Sequence, residues 1–181
     1  MQYTQDALAR AKNVKMLILD VDGVLNNINF WKKNYFKYGF SAGTYSIDEK
    51  NIKILAKLHR KLKDKYELHY VLSSTWRLSK DGQAVILNRL RDNGIKLDGI
   101  TEPNNSEDRG KLILNYLSNL QSYDLAIAID DDTFDINPYL TENFHLVAPD
   151  FHMGLTSCET RLIRKIIKEM EKKWKKREKE F

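Results

Sequence analysis

Cysteine is almost missing from this 181-residue chain, in which Cys158 stands alone. One cysteine cannot form an intramolecular disulfide or a CxxC-type metal site, which fits a reducing, intracellular compartment with no disulfide partner. Long apolar runs are missing too. No stretch of about 18 apolar residues occurs, and residues 1–15 are polar and charged, so the expectation is a soluble, cytoplasmic protein without a membrane segment. With three prolines and eight glycines, the chain has no low-complexity linker to divide it. One domain over residues 1–181 is expected, long enough to bury a core without disulfides. The four histidines, His59, His69, His145 and His152, show no recognisable ligand spacing.

Charge of one sign is scarce except at the end. The formal net charge is +5, yet residues 161–181 hold ten Lys/Arg against four Glu, so the rest of the chain is close to neutral. Leu162, Ile163, Ile166, Ile167, Met170 and Trp174 give the same segment an apolar face. A basic amphipathic helix over 157–181 is therefore expected, N-capped by Thr156 or Ser157 and docked by its apolar face. Such a segment suits nucleic acid, and equally suits a solvated helix face.

What is present is an alternation of short apolar segments and helical stripes. Strands are predicted from Lys15 to Leu19, Glu67 to Leu72, Ile95 to Ile100, Leu125 to Ile129 and Phe144 to Val147. A first helix from Asp48 to Lys63 is predicted by Ile52, Leu55, Leu58 and Leu62, with Ser46 and Glu49 as a capping box. A second runs from Asp81 to Asp92 and stops at Asn93-Gly94. A third is opened by Ser106 and Arg109-Gly110-Lys111. Strands alternating with helices predict an α/β fold, a doubly wound parallel sheet under helices on both faces. Residues 26–47 stand apart: Phe30, Trp31, Tyr35, Phe36, Tyr38, Phe40 and Tyr45 interleave with Lys32, Lys33 and Lys37, punctuated by Gly39 and Gly43. They read as an inserted loop or hairpin, a flap over whatever site the sheet carries.

Polar clusters follow three of the strands, and a fourth opens a helix. Asp20 and Asp22 leave the first strand at spacing i, i+2, which points both carboxylates the same way if the backbone stays extended. In an open parallel sheet that position faces a ligand site. One carboxylate could attack phosphorus while the other moves a proton, and both could hold a Mg²⁺. Ser73 and Ser74 can donate hydrogen bonds to phosphate oxygens. Arg109 or Lys111 can neutralise charge in the first turn of the third helix, where the helix dipole gives a cation no advantage. Asp131, with Asp130 and Asp135, can complete a metal shell. Each cluster alone also reads as an acidic turn, a strand end or a solvated cation. Their order along the chain favours a phosphoryl-transfer site.

These residues resemble a known family. Asp20-Val-Asp-Gly-Val-Leu, Ser73-Ser74, Arg109/Lys111 and Asp130-Asp131-Asp132-Thr-Phe-Asp135 are similar to the four motifs of the haloacid dehalogenase (HAD) superfamily of Mg²⁺-dependent phosphatases. Asp-Gly-Val-Leu-Asn, Leu72-Ser-Ser-Thr-Trp-Arg77, Arg109-Gly and Gly154-Leu-Thr156 most resemble the HAD domains associated with RNA end repair. The likeness spans Leu17 to Thr156. It implies a Rossmann-like HAD fold with a flap after the first strand. It also implies Asp20 as the nucleophile that forms an aspartyl-phosphate, and Asp22 as general acid/base and metal ligand through its carbonyl. Ser73 would be the phosphate-binding hydroxyl, with Ser74 beside it. Asp131 would sit at the metal-ligand position, Asp135 at the distal carboxylate, and Asp130 at or next to the metal. For the cation of the third motif, Arg109 matches the RNA-repair subgroup and Lys111 the superfamily's usual lysine.

The implied activity is a Mg²⁺-dependent phosphomonoester hydrolase acting on nucleic-acid ends or nucleotides. The 26–47 insertion is too short for a full cap domain, leaving the site accessible to a polynucleotide end. Trp31, Lys33, Trp76 and Arg77 are candidate contacts to bases or a further phosphate. A small-molecule 5′-nucleotidase is the alternative within this chemistry. A non-catalytic nucleic-acid-binding module is the alternative outside it.

Overall fold

A computed structural model of the chain describes residues 14–38, 45–104, 108–120, 122–177 and 179–180. Readings at Gly39, Phe40, Gly43, Asn105, Ser106 and Phe181, and for residues 1–13, lie outside the described residues. Five strands, β1 (Val14–Leu19), β2 (Glu67–Leu72), β3 (Leu97–Ile100), β4 (Leu125–Ile129) and β5 (Phe144–Val147), form a parallel sheet in the order β3-β2-β1-β4-β5. The expected Rossmann-like α/β architecture is the one observed. The chain adds β2 and β3 to one side of β1, then crosses to add β4 and β5 on the other. The strand order therefore reverses between β1 and β4, the place where open parallel sheets bind ligands at their carboxyl ends.

Side chains alternate across the sheet with the strand period of two. Leu17 and Leu19 face a core with Ile127 and Ile129, closed by helices α2 (Glu49–Leu62), α3 (Lys80–Asp92) and α5 (Ser157–Arg177) through Leu55, Ile86 and Ile163. Met16 and Ile18 face the other side, where Ala126 and Ala128 leave room for Ile113 and Leu117 of α4 (Arg109–Ser118).

Helix starts show which local signals carried. α2 is capped by Asp48, whose side chain accepts from Lys50 N at 2.9 Å, so the expected Ser46–Glu49 box is not formed. A capping box closes α5 instead. Thr156 Oγ1 accepts from Cys158 N and Glu159 Oε2 accepts from Thr156 N. The flap holds the main departure, because residues Ile28–Tyr38 are an α-helix, α1, and not a loop or hairpin. Aromatics scattered over every position mimic a strand composition and hide the helical period. The decisive signal is Asn27, whose Oδ1 accepts from Phe30 N at 2.9 Å as an N-cap does. The first N–H groups of α1 are also met from outside, by the carbonyls of Phe151 and His152. This seats α1 on the β5–α5 loop.

Candidate active site

Register brings the polar clusters together. Leu19 pairs with Leu72 on one side and Ile129 on the other, so one residue further along Asp20, Ser73 and Asp130 stand abreast. The ladder continues into these loops: Asp20 N donates to Ile129 O at 3.0 Å and Ser73 N to Leu19 O at 2.9 Å. Asp20 and Asp130 are buried, and together with Asp131 they offer carboxylate oxygens all within 4.8 Å of one another. Gly23, at φ +76°, makes this possible, since a Cβ there would land on the Asp131 carboxylate.

Arg109 meets the acidic group from the first residue of α4. Its Nη1 lies 2.8 Å from Asp130 Oδ2 and 3.5 Å from Asp20 Oδ1, its Nη2 3.1 Å from Asp132 Oδ2, and its Nε 3.5 Å from Asp135 Oδ2. Asp135 Oδ2 also accepts from Arg109 N at 3.0 Å, capping α4 from outside the helix. Gly110 lets the helix come this close, because a Cβ there would stand 2.8 Å from Asp135 O. Lys111, two residues on, is roughly 200° further around the helix. It is exposed and does not line the cavity. The third-motif cation that reaches the cluster is Arg109.

The cluster is unbalanced. Burial, and then the neighbouring Asp130, pushes the Asp20 carboxyl well above the usual carboxylate range, against the opposing pull of Arg109 and a Ser74 hydrogen bond. Burial likewise pushes Asp130 up to about 7 and raises Asp131. Burial alone would lower Arg109, but the surrounding carboxylates raise it. Two buried acceptors on cavity residues, Asn26 Oδ1 and Asp135 Oδ1, find no donor among the described residues. Excess carboxylate and unmet acceptors in a buried site fit a bound cation. Asp20, Asp130 and Asp131 are the residues that could hold one.

Asp22 is built differently. It is exposed, yet Asn26 Nδ2 donates to one of its oxygens at 2.8 Å and Trp76 Nε1 to the other at 2.9 Å. These donors aim the carboxylate into an open cavity of about 900 Å³ that also reaches Asp20, Arg109 and Asp131. Trp76 and Arg77, expected as contacts to a base or phosphate, both line this cavity, and both also hold protein partners. Trp76 is buried with its indole N–H committed to Asp22. Arg77 is buried, and its guanidinium donates to the carbonyls of Ser73, Ser74, Glu102 and Asn104, so it organises the loops after β2 and β3. Both serines are buried as well. Ser73 Oγ accepts from Thr101 Oγ1 at 3.5 Å, and Ser74 Oγ caps the turn at Trp76 N. Thr75, exposed and lining the cavity, is the hydroxyl residue that the sequence reading passed over.

Trp31 lines the cavity from α1, whereas Lys33 is exposed and is not among the lining residues. Asn26, the last residue of the Asp-Gly-Val-Leu-Asn motif but given no role there, and Phe151, in no motif, also line the cavity. Asn26 lies one helical step from Asp22 and was legible as part of the same loop. Phe151 comes from the β5–α5 loop, and no local pattern ties it to β1.

A family model described as the HAD domain in Swiss Army Knife RNA repair proteins matches residues 16–160. The chain belongs to this family. The match takes in β1 from Met16, the other four strands whole and every residue of the acidic cluster, and it ends in the first turn of α5. No curated protein and no solved structure matches the chain. In this HAD domain, no helix among the described residues is long and apolar enough to cross a membrane.

Proposed function

We propose that this HAD domain is a Mg²⁺-dependent phosphomonoester hydrolase that works through an aspartyl-phosphate on Asp20, with nucleic-acid ends as substrate. The observation that carries the reading is the convergence of the Asp20, Asp130 and Asp131 carboxylates from two neighbouring strand ends, with the guanidinium of Arg109 paired to Asp20 and Asp130. A carboxylate of Asp20 attacks phosphorus and the ester P–O bond breaks. Asp22 gives a proton to the departing oxygen. Water then attacks the acyl phosphate, Asp22 takes its proton, and Asp20 is restored. Asn26 and Trp76 hold Asp22 in position for both transfers. Arg109 stabilises charge on the phosphoryl oxygens, with Ser73, Ser74 and the N–H groups after β2 at the phosphate end. Mg²⁺, held by Asp20, Asp130 and Asp131 with Asp22 and Asp135 close by, would offset the excess negative charge and favour the ionised form of Asp20.

The open cavity supports a large substrate. Among the described residues the 11-residue helix α1 is the cover that follows β1, and the open mouth suits a chain end. Trp31 at the wall and Lys33 on the outer face of α1 are suited to a base and a backbone phosphate. The test is phosphate release with Mg²⁺ from 5′- and 3′-phosphorylated oligonucleotides, nucleoside monophosphates and sugar phosphates. Preference for either oligonucleotide supports the reading. Preference for free mononucleotides replaces it with a nucleotidase, and binding without release from any substrate replaces it with a non-catalytic module.

A further inference from the structure

A second charged feature lies away from the acidic cavity and shares no lining residue with it. Where α2 and α5 pack together, a groove of about 220 Å³ opens between them. Lys57 and Lys61 line it from α2, and Arg161 and Arg164 from α5. Its floor is apolar, formed by Ile54 and Leu58, and no carboxylate lines it. No salt bridge among the described residues involves these four cations. Arg164 Nε donates to Thr160 O at 3.4 Å, a bond within its own helix. Lys57 and Lys61 are like charges one turn apart, an arrangement that weakens a helix slightly, and across the groove they face two more of the same sign. Four cations brought together with no carboxylate in the lining and no ion pair among the described residues favour a polyanion.

We propose that this groove is a binding site for the phosphodiester backbone of a single-stranded nucleic acid, separate from the acidic cavity. Each helix contributes two cations about 6 Å or less apart along its axis. A chain of phosphates can follow such a row, whereas one small anion would meet only part of it. The apolar floor gives sugars and base faces a surface to rest on, which a purely ionic patch would not. This places the basic binding surface on the first turns of α5 and the last two turns of α2, and not on the lysine-rich end of α5.

The experiment is fluorescence anisotropy of a labelled single-stranded oligonucleotide with no terminal phosphate, so that binding is read without any phosphatase chemistry. It is titrated with the full chain across a range of salt. The variant Lys57→Ala/Lys61→Ala/Arg161→Ala/Arg164→Ala should bind at least about tenfold more weakly, with the slope of log K against log salt reduced by about 3 units. Removing the exposed Lys57 and Lys61 alone should give about half that change in slope. The control Lys172→Ala/Lys173→Ala/Lys175→Ala/Lys176→Ala removes the same charge from the far end of α5 and should weaken binding less than about threefold. Equal losses in the two quadruple variants would show diffuse attraction and overturn the proposal, as would an unchanged groove variant. If poly-glutamate displaces the oligonucleotide as well as unlabelled oligonucleotide does, the groove serves an acidic polypeptide instead. Loss of phosphate release with binding intact would count against the phosphatase reading alone.

Discussion

Two buried ion clusters occupy opposite ends of the same sheet, and they are built on different terms. At the amino end of β1, Lys15 is fully buried and lies 3.1 Å from Asp124 Oδ2, with the rings of Tyr66 and Trp174 at 5.2 and 4.9 Å. Among the described residues one anion lies within ion-pair distance of this cation, and two aromatic faces add to its shelter. At the carboxyl end of β1, Arg109 faces Asp20, Asp130, Asp132 and Asp135, with Asp131 beside them. The first cluster is balanced and ties α5 to the sheet. The second carries more negative charge than its single guanidinium offsets, a structural cost that fits a cation-binding site.

The largest contrast should come from neutralising one member of each cluster. Asp20→Asn should lower phosphate release by about 10³-fold or more. The same change should stabilise the metal-free fold by about 1 kcal/mol in denaturant titration, because it removes a crowded buried charge. Activity lost together with stability would make Asp20 a structural group. Lys15→Met should do the reverse. Leaving Asp124 without its cation should cost about 3 kcal/mol, while activity per folded molecule persists. A drop in turnover at full folding would erase the distinction between the two ends.

Trp76→Phe keeps the ring and removes the indole N–H that holds Asp22. An approximately tenfold fall in kcat with KM unchanged is expected from steady-state kinetics, whereas a rise in KM alone would return Trp76 to substrate contact. The smallest effect concerns pH. Asp20 and Asp130 have folded-state pKa values raised above their unfolded ones, so the stability they confer is present below about pH 4 and is lost as pH rises toward about 7, the value for Asp130. With chelator present, thermal melting should therefore fall by on the order of a few degrees from pH 5 to pH 8. Asp20→Asn/Asp130→Asn should flatten that fall. An unchanged pH profile in the double variant would show that these carboxylates are not the strained groups.

Most of the sheet was legible because the core strands are apolar on both faces and end in turn residues, as Leu125–Ile129 does. The positions of Asp20, Asp130 and Arg109 followed from strand ends and a helix start, which local pattern encodes. Three features did not follow. Helix α1 was masked by its aromatics, and its Asn27 cap went unread beside the more familiar acidic motif. Trp76 and Arg77 were visible as residues, but Asp22 lies 54 positions from the first and Glu102 lies 25 from the second, distances at which a single sequence holds no register. The basic groove joins Lys57 to Arg161 through helix packing, so the sequence displayed its charge as part of a tail when the chain uses half of it elsewhere.

Asp20 is central to this account, and its role can be read directly. Wild-type protein mixed with Mg²⁺ and a phosphorylated oligonucleotide, quenched in acid within the first turnover, should yield a peptide containing Asp20 that carries one phosphoryl group and is labile to hydroxylamine. Asp20→Asn protein should yield none. Phosphate release from the wild-type chain with no such adduct, or an adduct on a different residue, would contradict the mechanism.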